Sequence, residues 1–190
     1  MLVCFMRHGE TDWNAARRLQ GRRDIPLNAT GLAQVRRAAA ELADIHFDRI
    51  FSSPLRRARQ TAELVAGPRG LTVETEPLLY EIAFGDLEGS TFQQAPAAIF
   101  NDPAAYVPPA GGESFYDLLE RCGRLLGEFL PSLEDTCGSV LLCSHGALIN
   151  GVVCRAANRP VEDFWLVQQA NCARTWLRCE KGVITLLDNP

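Results

Sequence analysis

The run Met6-Arg7-His8-Gly9-Glu10-Thr11, directly after the apolar stretch Leu2-Val3-Cys4-Phe5, is where chemistry first concentrates in this chain. An imidazole beside a fixed positive charge can attack an anionic centre, and a strand ending in Arg and His delivers both to the edge where α/β folds hold their ligands. The chain has only 3 histidines, so position 8 carries more information than it would in a His-rich protein. Two further places share the layout of a short strand, polar residues and then a helix: Ser52-Ser53-Pro54-Leu55-Arg56-Arg57-Ala58-Arg59-Gln60-Thr61-Ala62, and Cys143-Ser144-His145-Gly146. If the strands are parallel, the three strand ends converge on one sheet edge. Two histidines, at least two arginines and helix N-termini then share a pocket, and free backbone N–H groups with a partial positive charge favour phosphate there.

The elements that must position these residues alternate between strand and helix. Leu2 to Met6, Asp48 to Phe51 and Ser139 to Cys143 read as buried strands, and Leu71 to Glu74 as a shorter one. Leu32, Val35, Ala39 and Leu42 fall at helical spacing. Leu55 to Val65 reads as a helix stopped by Gly67-Pro68, and Ala147 to Ala157 as another. Ser114 is a candidate N-cap for an apolar stripe running from Phe115 to Leu130. Arg174 to Cys179 and Val183 to Leu187, split by Lys181-Gly182, form a terminal hairpin. This alternation predicts a three-layer α/β/α sandwich with a mostly parallel sheet, and the length predicts a single domain over 1–190. The Pro- and Gly-rich stretch from Gly85 to Gly112 breaks the pattern and reads as a lid-like excursion.

Composition narrows the partners. Residues 1–70 hold 12 arginines against 7 acids, and residues 71–190 hold 7 basic against 16 acidic residues. The net charge of −4 argues against broad nucleic-acid binding, whereas local clusters of Arg suit a small anionic ligand. No apolar run reaches the roughly 20 residues that span a bilayer, and the N-terminus lacks the pattern of a signal peptide, so the expected setting is cytoplasmic with no membrane partner. The 7 cysteines are scattered without a C-x-x-C pair and read as reduced core residues. No clustered ligand pattern suggests a metal, and no cofactor is expected.

The ordered motifs resemble the histidine phosphatase superfamily, also called the phosphoglycerate mutase-like family. R-H-G-E-T-x-W-N is matched from Arg7 to Asn14, S-S-P-L-x-R-A-x-Q-T-A from Ser52 to Ala62, and S-H-G from Ser144 to Gly146. Leu79-Tyr80-Glu81-Ile82-Ala83-Phe84-Gly85-Asp86-Leu87-Glu88-Gly89 is similar to the family's acidic segment. The resemblance implies that His8 attacks phosphorus to form a phosphohistidine. It implies that Arg7 and Arg57 hold the phosphoryl oxygens and that His145 donates a hydrogen bond to the same group. Glu81 would protonate the leaving oxygen and then activate water, with Asp86, Glu88 and Glu113 as rivals for that task. Asn14, Thr11 and Gly146 are expected at the phosphate, Thr11 with the alternative of only shaping its loop. Gln20 and Gly21 match a stretch that borders the substrate. Trp13 reads as packing, and Arg56, Arg59 and His46 as surface residues.

The resemblance implies metal-independent hydrolysis of a small phosphorylated metabolite. Such monoesters react so slowly unaided that enzymes supply up to roughly 10²¹ in rate, mainly by positioning and charge stabilisation. The alternatives are a phosphoglycerate mutase, for which the excursion is short, and a non-catalytic module that binds phospho-ligands. Phe84 to Gly89, Phe164-Trp165 and the closing Leu187-Asp188-Asn189 look like small bacterial members, the α-ribazole phosphatases among them. Oligomeric state is left open by the sequence.

Overall fold

The computed structural model describes residues 1–188, so Asn189 of the closing run lies outside the described residues. Six strands form one sheet in the order β3-β2-β4-β1-β5-β6. The strands β1 (Leu2–Arg7), β2 (Arg49–Ser52), β3 (Val73–Thr75) and β4 (Ser139–Ser144) are mutually parallel. β5 (Arg174–Glu180) and β6 (Val183–Leu187) add the antiparallel terminal hairpin.

The helices are α1 (Asp12–Ala15), α2 (Ala29–Glu41), α3 (Arg56–Ala66), α4 (Ala98–Asn101), α5 (Phe115–Arg124), α6 (Leu130–Leu133) and α7 (Gly146–Ala156). Alternation along the strands distributes them over the two faces of the sheet. Val3, Phe5, Val140 and Leu142 belong to one apolar cluster with Leu118, Leu130 and Leu148 of α5, α6 and α7. Cys4, Met6, Leu141 and Cys143 belong to the other, with Val35 and Ala38 of α2 and Ala62 and Val65 of α3. All 7 cysteines are free thiols, and only Cys172 is more than marginally exposed.

This layering opens a crevice. β1 and β4 are neighbours, yet the chain leaves β1 toward the α2 face and leaves β4 toward the α7 face. Such a divergence at the carboxyl edge of a parallel sheet is where α/β folds bind ligands. The register levels the strand ends: Arg7 pairs with Ser144, and Ser52 with Cys143. The ladder runs one residue further through His8 N–H to the Ser144 carbonyl and Ser53 N–H to the Cys143 carbonyl, each 3.0 Å.

The Ser114 cap is present, as a capping box with Asp117. The stripe behind it is not one regular α-helix, because a π-helical turn over Leu125–Phe129 separates α5 from α6. Pro131 follows this turn; it has no N–H and its ring would crowd the Gly127 carbonyl of a regular helix. β3 starts two residues later than the apolar pattern suggests, since after a 3₁₀ turn over Gly67–Arg69 the Leu71 N–H is tied back to the Ala66 carbonyl at 3.3 Å.

The excursion is pinned at its base by an antiparallel bridge between Phe84 and Gly112 and by Glu113 N–H donating to the Ala83 carbonyl at 2.8 Å. Gly85 is needed there: its φ is +55°, and a Cβ would stand 2.3 Å from the Ala110 carbonyl oxygen. Ile99 and Tyr106 sink from the excursion into the core, and Trp165 Nε1 donates to the Ile99 carbonyl at 2.6 Å. No helix among the described residues is long and apolar enough to cross a membrane.

Candidate active site

A cavity of about 500 Å³ opens at the carboxyl edge of the sheet. Of the residues singled out in the sequence, Arg7, His8, Asn14, Gln20, Gly21, Arg57, Glu81 and Gly146 line it. Thr11 and His145 stand behind the wall, both fully buried.

His8 is 2% exposed. Its Nδ1 lies 2.6 Å from the Gly9 carbonyl. A carbonyl can only accept, so Nδ1 carries the hydrogen and the Nε2 lone pair is free. Asn171 Nδ2 donates to the His8 carbonyl at 3.0 Å, fixing the backbone from the other side. Burial holds the His8 pKa well below the usual histidine value, and the charges of Arg57 and Arg7 push the same way. The ring is therefore neutral at neutral pH.

Arg57 is fully buried and Arg7 partly so, and the donors of both are only partly spent. Arg57, on the first turn of α3, donates through Nη1 to the Arg23 carbonyl at 2.7 Å and through Nη2 to the Gly21 carbonyl at 2.8 Å. Its Nε–H donates to His145 Nδ1 at 3.2 Å. A guanidinium has five N–H groups, so two remain. Burial lowers the Arg57 pKa to about 10, while Glu81, Asp24 and Glu88 act in the opposite direction. Arg7 donates Nη1 to the Gln169 carbonyl, and its Nε is buried with no partner. An unpaired cationic donor on a cavity wall is a place for an anion.

His145 serves Arg57. Its Nδ1 accepts from Arg57, so its hydrogen is on Nε2, which donates to Ser53 Oγ at 2.8 Å. The ring meets His8 edge-on at 5.2 Å between centroids. Both ring nitrogens are thus engaged, and the direct bond to a phosphoryl oxygen expected from the sequence requires the ring to give up one of these partners. Burial, then Arg57, keeps His145 neutral as well.

Glu81 hangs over the N-terminus of α7. Its Oε2 accepts from Ala147 N–H at 3.2 Å, and its Oε1 from Leu148 N–H at 3.1 Å and Ile82 N–H at 3.0 Å. The loop bearing it is held by Arg121 Nη1, which donates to the Leu78 and Tyr80 carbonyls, and by Ser144 Oγ donating to the Leu79 carbonyl at 2.8 Å. The rival acids are occupied elsewhere. Glu113 forms a bidentate pair with Arg121, at 2.9 and 2.7 Å. Glu88 takes Arg22 N–H and lies under Gly21, where a Cβ would stand 2.0 Å from its Oε1. Asp86 is exposed.

Thr11 caps α1 in a capping box with Asn14, whose Oδ1 accepts from Thr11 N–H at 3.1 Å. That bond fixes the Asn14 amide beside the cavity, and the Thr11 hydroxyl lies 2.9 Å from Gln20 Oε1. Thr11 thus shapes the loop. Trp13 packs its ring tip against Gly89. Gly146, the first residue of α7, lies against the Arg7 guanidinium.

Several wall residues escaped the sequence reading: Arg18, Phe92, Phe100, Asn150 and Gln169. Asn150 offered one signal, as the single polar side chain in the apolar run Ala147 to Cys154. Phe92 and Phe100 offered none, since they sit in the aperiodic excursion. Among the described residues no group of three or more His, Cys, Asp or Glu comes together as metal ligands would.

The model of the histidine phosphatase superfamily (branch 1) matches residues 3–188. The chain is 42% identical over 151 residues to a phosphatase named PhoE of Bacillus subtilis, covering 80% of this chain and 75% of that one. It is 34% identical over 181 residues to a probable phosphoglycerate mutase, GpmB, of Yersinia pestis, covering 90% and 81%. Among solved structures, the α-ribazole phosphatase of Shigella flexneri superposes with a TM-score of 0.87 at 28% identity, covering 98% of this chain and 95% of that chain. A cavity at the carboxyl edge of the sheet, with His8 in its wall and His145 behind it, and a family match along the described length agree: the chain belongs to the histidine phosphatase superfamily, branch 1, and is an enzyme of the phosphatase class.

Proposed function

We propose that the protein hydrolyses monoesters of small phosphorylated metabolites through a phosphohistidine on His8, without a metal. The observation that carries this reading is the tautomer of His8. With Nδ1–H given to the Gly9 carbonyl, the Nε2 lone pair is presented between Arg7 and Arg57, both of which keep donors unspent.

In the first step Nε2 bonds to phosphorus as the ester P–O bond breaks, and the leaving oxygen takes a proton from the Glu81 carboxyl group. In the second, water attacks phosphorus, its proton passes to the Glu81 carboxylate, and the P–N bond breaks. His8 is returned neutral and inorganic phosphate departs. Arg7 and Arg57 carry the positive charge that the transferring group requires, which makes this an electrostatic catalyst in the sense of a preorganised anion site. His145 orients Arg57 and, being neutral, adds no charge that would repel it. Asn14 completes the cradle, while the Ala147 and Leu148 N–H groups of α7 hold Glu81 beside it.

Steady-state assays in excess EDTA test the reading. Free phosphate should be released from p-nitrophenyl phosphate and from phosphosugars, with no interconversion of 2- and 3-phosphoglycerate. Efficient interconversion would make the protein a mutase, and a requirement for a divalent ion would remove the arginines from their assigned role. The α-ribazole ester belongs in the same panel, since a solved relative acts on it; equal rates across the panel would mark a broad enzyme.

A further inference from the structure

The free lone pair on His8 Nε2 depends on the Gly9 carbonyl, which accepts from Nδ1 at 2.6 Å. That carbonyl belongs to the Gly9–Glu10 peptide, and its direction needs a cause of its own. The two neighbouring peptides are each held at both ends. The His8 carbonyl accepts from Asn171 Nδ2 at 3.0 Å, and Gly9 N–H donates to Thr61 Oγ1 at 3.2 Å. The Glu10 carbonyl accepts from Asn28 N–H at 3.0 Å, and Thr11 N–H donates to Asn14 Oδ1 at 3.1 Å. The Gly9–Glu10 peptide has the His8 ring at its carbonyl. At its other end Glu10 N–H donates to Gln34 Oε1, on α2, at 2.9 Å.

The peptide is trans, so its carbonyl and its N–H point in opposite directions. Gln34 draws the N–H toward α2 and thereby turns the carbonyl toward His8. Gly9 has no Cβ, so its backbone by itself resists rotation of this peptide little. A carbonyl turned away would leave Nδ1–H unpaired in a buried place, and the hydrogen could then sit on Nε2, the atom that must attack. Gln34 is half-buried and is not among the residues that line the cavity, so any influence it has on the reaction passes through this peptide. We propose, on the phosphohistidine reading above, that Gln34 is a positioning residue: through the Gly9–Glu10 peptide it keeps the His8 hydrogen on Nδ1 and Nε2 free for phosphorus.

Two measurements test this together. Two-bond ¹H–¹⁵N spectra of histidine-labelled protein at neutral pH report which ring nitrogen carries the hydrogen, with the His8 signals assigned by their loss in His8→Ala. Wild-type His8 should carry it on Nδ1 and His145 on Nε2, which makes His145 an internal reference. In Gln34→Met, similar in shape but without the acceptor, and in Gln34→Ala, the His8 hydrogen should shift toward Nε2 while His145 stays as it was. Release of p-nitrophenolate in a single turnover, which reports formation of the phosphohistidine, should slow by about ten-fold in both, the worth of one neutral hydrogen bond. KM should stay within about two-fold, because Arg7 and Arg57 are untouched. Gln34→Glu keeps an acceptor oxygen at the same reach and should restore the tautomer and most of the rate. An unchanged His8 tautomer in Gln34→Met and Gln34→Ala overturns the proposal, even with a lowered melting temperature, since that is the mark of a merely structural glutamine. A shifted tautomer with an unchanged rate also overturns it, as does failure of both variants to fold. Absence of p-nitrophenolate release by wild-type protein overturns the phosphohistidine reading and this proposal together, whereas release at an equal rate in wild type and both variants overturns this proposal alone.

Discussion

The two ends of the cavity are built on opposite terms. The inner end holds Arg7, His8, Arg57 and Glu81, presented by the end of β1, by α3 and by the loop before the excursion, each side chain anchored by at least one named partner and each arginine keeping free donors. The outer end is made by Phe92 and Phe100 of the excursion and by Trp165, stacked obliquely at 5.1 and 6.1 Å between ring centroids. Phe92 remains 43% exposed. The first arrangement holds charge in fixed geometry, as stabilising a transferring phosphoryl group demands. The second offers a surface that an attached group can lie on without strict register. Damage to the inner end should therefore fall on kcat, and damage to the outer end on KM and on the choice of substrate.

The largest effect should come from His8→Ala. Removing the nucleophile should lower turnover by about 10⁴-fold or more, with circular dichroism unchanged. Residual activity within ten-fold of wild type would remove His8 from its role. Glu81→Gln should be next, costing about 10²- to 10⁴-fold with an alkyl phosphate and markedly less with p-nitrophenyl phosphate, whose leaving group needs little protonation. Equal losses on both esters would mean that Glu81 only braces the N-terminus of α7. Arg57→Ala should lose about 10²- to 10³-fold in kcat/KM, the usual cost of one preorganised donor to developing charge.

A smaller effect follows from the buried histidines. His8 and His145 have folded-state pKa values below the unfolded value near 6.5, so below that pH the unfolded chain binds more protons. Stability should therefore be level from about pH 7 to about pH 8, below the range in which the buried thiols matter, and fall as pH drops below 6.5, by up to about 1.4 kcal/mol per pH unit for each histidine. The carboxylates with lowered pKa, such as Asp48 and Glu74, act only below their own unfolded values near 4 and leave this window to the histidines. Denaturant titrations at pH 7.5, 6.5 and 5.5 give the slope directly, and His145→Asn should flatten it. A level profile would show that the rings are protonated in the folded protein.

The smallest effect should be at the outer end. Phe92→Ala should raise KM for aryl phosphates a few-fold while kcat moves little, because a half-exposed ring contributes on the order of 1 kcal/mol of contact. A kcat loss as large as that of Arg57→Ala would abolish the division between the two ends.

The same division governs what could be read before the fold was known. The inner end was legible because His8 and His145 each follow a strand directly and Arg57 opens the helix after another, and a polar side chain at such a position has few structural explanations. The strand registers then brought them together as the parallel pattern required. The outer end was not legible, since Phe92, Phe100, Asn150 and Trp165 are far apart in sequence and share no period. Their meeting depends on how the excursion packs down, through contacts such as Trp165 on the Ile99 carbonyl. The office of His145 was hidden for a different reason. Its place at a strand end is visible in the sequence, but whether its hydrogen points to a ligand or to Ser53 is decided by the partner on its other nitrogen, and that partner, Arg57, arrives from another helix.

The central claim is that the phosphoryl group passes through His8, and rapid-quench labelling with a ³²P-monoester addresses it most directly. The account predicts a protein-bound label that is stable in base and labile in acid, that maps to His8, that decays at a rate no slower than turnover, and that is missing from folded His8→Ala. A label that survives acid, that maps to another residue, or that persists in His8→Ala would contradict it.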